Sequence, residues 1–153
     1  MFLQKVDFFL AKVWPCQKKA VPLQQEKEWG DDNTVLAKSF AFAVRVVKLR
    51  RHLCYEASVK EFDISNQLLR SGTSIGANVE EAQGAQSSSD FLSKISIAYK
   101  EARESRYWIR LLAETEYIDN NAERSLLADA DELCRMLSSI IMSTKNTIAG
   151  SNR

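Results

Sequence analysis

The chain has 153 residues, 45% of them apolar and 27% charged, with a formal net charge of +1. That length holds one domain and is short for two, and so neutral a balance neither demands nor forbids a nucleic-acid partner. Five glycines and two prolines are too few for a turn-rich all-β fold or a disordered chain.

Residues 1–30 stand apart. They hold Pro15 and Pro22, Trp14 and Trp29, and the run KKAVPLQQEKEWG with no clean period. The segment reads as an N-terminal extension or linker with a short helix at 2–13; the plainer alternative is a reading frame opened too far upstream. Asp7 and Lys12 interrupt its apolar start, and no small-residue cleavage site follows, so a secretory leader is not expected. No stretch approaches the length of a membrane span. Cys16, Cys54 and Cys134 are far apart and form no CxxC pair, which suits reduced thiols in a cytoplasmic protein.

Helical periodicity begins at residue 31 and runs to 148, followed by a polar tail at 149–153. Asp32 or Asn33 is the expected cap of the first helix. That helix carries two apolar faces. Leu36, Phe40, Ala43, Val47 and Cys54 form one, expected to meet the core; Val35, Phe42, Val46, Leu49 and Leu53 form the other, expected to meet a partner. After a break at 57–62, the second helix lines up Leu68, Gly72, Ile75, Val79 and Ala82. Ser87 with Asp90 marks the next helix start. Phe91, Ile95, Ala98, Ala102, Ser105, Ile109 and Leu112 share its seam, with a second cluster at Ile97, Trp108 and Leu111. Asn120 with Glu123 is the expected cap of the last helix, whose seam is Leu126, Ala130, Leu133, Leu137 and Ile140. Short connections force antiparallel neighbours, so the expected fold is an all-α, up-down-up-down four-helix bundle.

The stretch SGTSIGANVEEAQGAQSSSD at 71–90 poses a choice between a phosphate loop and a thinned helix. A Walker loop needs Lys and Ser or Thr after its last glycine and a strand before it. Ala77 and Asn78 follow Gly76, and helical spacing precedes it. Gly72 and Gly76 lie one turn apart instead and let a neighbouring backbone approach.

The blocks SIGANVEEAQGA and IAYKEARESRYW, set within residues 67–112, resemble the four-helix-bundle family encoded in intervening sequences of bacterial 23S ribosomal RNA genes. Residues 33–53 also fit that family's first helix, although Arg50, Arg51 and His52 stand where an aromatic is expected. The resemblance implies a bundle that forms ring-like homo-oligomers, commonly pentamers, with no assigned biochemical activity. A more distant resemblance is to the accessory variability protein of diversity-generating retroelements, which implies RNA or DNA and a reverse transcriptase as partners.

Chemistry-bearing residues are few. Glu80, Glu81, Glu101 and Glu104 fall in the two central helices, but His52 is the single histidine, so a di-iron centre with paired Glu-x-x-His motifs is excluded. These carboxylates are expected to pair with arginines such as Arg70, Arg103 and Arg106, or with a neighbouring subunit. No cofactor, metal or catalytic residue is expected, and the first expectation is a non-enzymatic oligomeric scaffold. The second is a nucleic-acid-binding protein. No acid lies between Asn33 and Tyr55, whereas Lys38, Arg45, Lys48, Arg51 and His52 do, and Arg103, Arg106 and Arg110 add a second stripe. Such a surface holds phosphates unless the acids of the last helix, Glu123, Asp129, Asp131 and Glu132, neutralise it.

Overall fold

The computed structural model describes residues 34–151; the extension at 1–30, with its expected helix at 2–13, lies outside the described residues. Four helices follow in order: α1 (Val35–Arg51), α2 (Asp63–Gln83), α3 (Ser88–Glu114) and α4 (Asn120–Ser151). The last continues through residues 149–151, which the sequence had suggested were tail. Contacts across the helices show their senses. Ser71 meets Ser105 while Glu81 meets Lys94. Lys38 meets Glu132 while Arg45 meets Ser125. Gly72 faces Val46 while Gly76 faces Ser39. In each of the three sets the numbers rise along one helix as they fall along the other, so α1 to α4 run up-down-up-down. The most extensive packing is α2 on α3, then α3 on α4 and α1 on α2; α1 touches α4 least.

Each helix end has a local cause. Thr34 caps α1, its Oγ1 accepting from Ala37 N at 3.1 Å, one residue beyond the expected Asn33. The far end of α1 widens into a π-helical turn, His52–Glu56, closed by Ala57 N donating to His52 O at 2.9 Å. The start of α2 is held by Glu61, a residue no sequence pattern singled out. Its buried carboxylate accepts from Ile64 N at 2.6 Å and Ser65 N at 2.7 Å, so a negative charge satisfies two donors at a positive helix end. Ser87 starts α3 as expected, accepting from Asp90 N at 3.1 Å, while Asp90 reaches back to Gln86 N. After α3, Glu116 takes φ 62°. Glu116 N donates to Ala113 O and Tyr117 N to Leu112 O, both at 2.9 Å, the paired bonds of a Schellman stop. Asp119, not Asn120, then caps α4 through Ala122 N at 2.7 Å.

The expected seams of α2, α3 and α4 form the core. Leu68, Ile75, Val79, Ile95, Ile109, Leu112, Leu126, Leu133 and Leu137 are essentially sealed from solvent. Inside it, Ser105 Oγ donates to Ser71 Oγ at 2.9 Å, which spares two buried hydroxyls the cost of going unpaired.

The two faces of α1 are reversed from expectation. Phe42, Val46, Leu49 and Leu53 are buried in the chain's own core and Val35 is half-buried, so this row is not an outer interface. Phe40 and Val47, assigned to the core, are 58% and 48% exposed. The glycines of α2 decide it. A Cβ on Gly72 would lie 2.9 Å from Val46 Cγ2, and one on Gly76 would lie 3.5 Å from Ser39 O. The notch they cut receives the row Ser39, Phe42, Val46, Leu49, and the polar Ser39 at its head disguises it as a surface row. Cys54 is buried despite belonging to the other face, because the π turn shifts the register between Arg51 and Ala57.

Candidate functional site

Three residues of the expected basic stripes pair with acids of α4. Lys38 Nζ lies 2.9 Å from Glu132 Oε1. Arg45 pairs with Asp129 and also donates to Ser125 Oγ at 3.0 Å. Arg106 Nε lies 2.7 Å from Asp131 Oδ1, a charge contact off the hydrogen-bond axis. At the π turn, Arg51 and His52 both approach Glu56 at 3.4 Å. Lys48, Arg103 and Arg110 are exposed and make no ion pair among the described residues. The two expected basic stripes thus comprise three exposed cations, three interhelical pairs with α4 and a local contact of Arg51 and His52 with Glu56. Burial holds the Asp129 carboxyl above its ordinary range, more than Arg45 and Lys38 pull it down, with Glu132 adding like charge.

Nucleophile candidates are accounted for structurally. Ser87 is a cap. Cys54 is buried and donates to Glu61 O at 3.3 Å. Cys134 is half-buried, and burial pushes its thiol up, against the pull of Arg106, so it is a weak nucleophile. Among the described residues, no group of three His, Cys, Asp or Glu is placed to hold a metal ion. No helix among them is long and apolar enough to cross a membrane.

Two surfaces remain. The first is apolar. Phe40 and Val47 stand out from α1, and beyond its end Tyr55, Val59 and Phe62 are 67%, 66% and 49% exposed. Tyr55 and Phe62 rings meet edge to face at 6.5 Å. The sequence contains these aromatics but no period that marks them, because they straddle the π turn and the break.

The second is a groove of about 690 Å³ between α2 and α3. Its floor is the outward side of the glycine-rich segment: Thr73, Ser74, Ala77 and Asn78. Thr73 Oγ1 donates to Leu69 O at 2.7 Å and Asn78 Nδ2 to Ser74 O at 2.9 Å, so both side chains fold back on their own helix and leave the floor low. Its walls carry Arg70 and three carboxylates, Glu81, Glu101 and Glu104. Glu81 pairs with Lys94, and Glu104 accepts from Trp108 Nε1 at 3.0 Å. Glu101 makes no hydrogen bond or ion pair among the described residues. Partial burial, then the like charge of Glu104, raises its carboxyl above the ordinary range despite Arg70. Ile97 is 37% exposed, while Trp108 and Leu111 are half-buried. The expected partner-facing cluster of α3 is therefore only partly open.

Comparison with known proteins agrees with this fold. The family described as 23S rRNA-intervening sequence protein matches residues 31–139. A crystal structure of a protein with unknown function from the S23 ribosomal protein family of Bacteroides thetaiotaomicron VPI-5482 is 50% identical, with a TM-score of 0.68. That match covers 71% of this chain and 98% of the other. Among curated proteins none matches.

Proposed function

The chain belongs to the 23S rRNA-intervening sequence protein family, and from that premise we propose that it is a non-enzymatic, self-associating bundle that serves as an interaction scaffold. The observation that carries this reading is the group of exposed apolar side chains Val47, Tyr55, Val59 and Phe62 at and beyond the end of α1, with the Tyr55 and Phe62 rings in contact. Scattered single hydrophobes are normal on a surface, but a group that includes two touching aromatics favours a partner. A pentameric ring is the assembly that the family resemblance favours. Light scattering on the full chain at micromolar concentration tests the reading. A mass several times 17.4 kDa is expected; a stable monomer overturns it.

A second reading, contact with an RNA or DNA backbone, keeps Lys48, Arg103 and Arg110 as its cations. Pairing of Lys38, Arg45 and Arg106 with α4 weighs against it. Nothing among the described residues favours a reverse transcriptase as partner. Fluorescence anisotropy with structured RNA and duplex DNA at two salt concentrations separates the readings. Affinity that falls steeply with salt, and weakens in a Lys48→Gln, Arg103→Gln, Arg110→Gln variant, would favour phosphate contact; absence of binding at low salt removes it.

A further inference from the structure

The groove and the outer face of α1 differ in every property that governs docking. The groove is concave and floored by short side chains, and its walls carry Glu101 and Glu104, a Glu81 already paired with Lys94, and a single cation, Arg70. The outer face of α1 is convex. Val44, Val47, Lys48 and Arg51 fall at i, i+3, i+4 and i+7, one ridge of a helix. No carboxylate lies on α1 at all. The two surfaces share no residue, so one copy can use both at once.

Like-with-like pairing fits neither surface. Two grooves placed face to face would set two surfaces in which carboxylates outnumber the one Arg70 against each other and leave a void over Ala77. Two α1 ridges would set Lys48 and Arg51 against their own counterparts. Groove against ridge satisfies both shape and charge. Glu101 is the group with most to gain, since it is partly desolvated and has no ion pair of its own. A cation brought onto such a carboxylate recovers what burial took from it.

We propose that the α1 ridge of one copy, led by Val47 and Lys48, seats in the α2–α3 groove of a second copy, with Lys48 against Glu101 and Glu104. This rests on the self-association reading above and names its contact. The contact is heterologous: each copy offers one ridge and one groove, so association propagates head to tail and ends only when a ring closes.

Two variants at exposed positions test it: Val47→Asp, which spoils the ridge, and Ala77→Trp, which fills the groove. Lys48→Glu is a second ridge variant that touches no core residue, and far-ultraviolet circular dichroism confirms that each variant folds. By light scattering each variant alone falls to the 17.4 kDa chain mass. Mixed one to one, Val47→Asp and Ala77→Trp give a species of twice that mass and nothing larger, because one intact groove and one intact ridge remain between them. If the wild type associates and either variant keeps the wild-type mass, the assignment of the contact is wrong while self-association stands. If both variants are monomeric and stay so on mixing, the intact ridge and the intact groove do not bind each other and the proposal fails. A monomeric wild type removes the self-association reading and this contact with it.

Discussion

Gly72 and Gly76 lie one turn apart on one helix and should respond oppositely to the same substitution. At Gly72 a Cβ would sit 2.9, 3.2 and 3.3 Å from Val46 Cγ2, Cγ1 and Cβ. Val46 is fully buried and β-branched, so it has one comfortable rotamer in a helix and no room to use another. Forcing a methyl into such a site costs about 1–3 kcal/mol. Replacing an interior helical glycine by alanine returns about 1 kcal/mol of propensity. The balance for Gly72→Ala is a loss of about 1 kcal/mol. At Gly76 the nearest atom to a new Cβ is Ser39 O at 3.5 Å, an ordinary contact, so Gly76→Ala keeps the propensity term and gains about 0.5–1 kcal/mol. Urea unfolding followed by the helical circular-dichroism signal measures both. Protein concentration is held fixed so that self-association does not enter the comparison. In a Val46→Ala background the Gly72→Ala penalty should vanish, giving a coupling of about 1 kcal/mol or more. Gly72→Ala at or above wild-type stability, with no coupling to Val46, would refute the notch as the reason these glycines stand where they do.

Two further outcomes follow from carboxylates, the buried Glu61 and the half-buried Asp129. Glu61→Ala strips the acceptor from Ile64 N and Ser65 N and should cost about 2 kcal/mol, with Glu61→Gln falling between it and wild type in the same urea assay; a neutral Glu61→Ala would mean that the start of α2 is held by packing alone. Asp129 is raised in the fold by burial, so the folded state binds its proton more tightly than the unfolded chain. Its contribution to stability is therefore largest at low pH and falls as pH rises from the ordinary carboxylate range, about pH 4, through the higher folded value. Measured across that window, Asp129→Asn should gain on wild type with rising pH and then run parallel to it. An Asp129→Asn stability that stays at a constant offset from wild type, or falls against it, as pH rises contradicts the assignment of burial as the dominant cause.

How much of this was legible in the sequence depended on how far apart the interacting residues lie. Helix periodicity is a local property, and the seams of α2, α3 and α4 followed from it directly, as did the Ser87 cap, whose donor is three residues away. The choice between the two faces of α1 was not local. Both are apolar, and the tie is broken by Gly72 and Gly76 across the interface, which periodicity places on α2 without saying which helix enters the notch. Charge was legible in outline, since Asp129, Asp131 and Glu132 of the last helix were the expected counter-charges and pairs form with all three, but which cation meets which acid was not. A window from Asn33 to Tyr55 shows cations and no acid, yet the acids that pair with Lys38 and Arg45 lie on α4, 84 positions away in the case of Arg45 and Asp129. An acid-free helix in a bundle of near-zero net charge is thus better read as one side of an interhelical seam than as a phosphate surface. The groove was hidden for a different reason. Ser74, Ala77 and Asn78 share a segment with the packing glycines, and one explanation, close approach of a neighbour, covered them all. The segment in fact has two sides, one pressed against α1 within the chain and the other open between α2 and α3. A stretch that is small on both sides of a helix spends only one of them on its own core, and the second is where a partner should be sought.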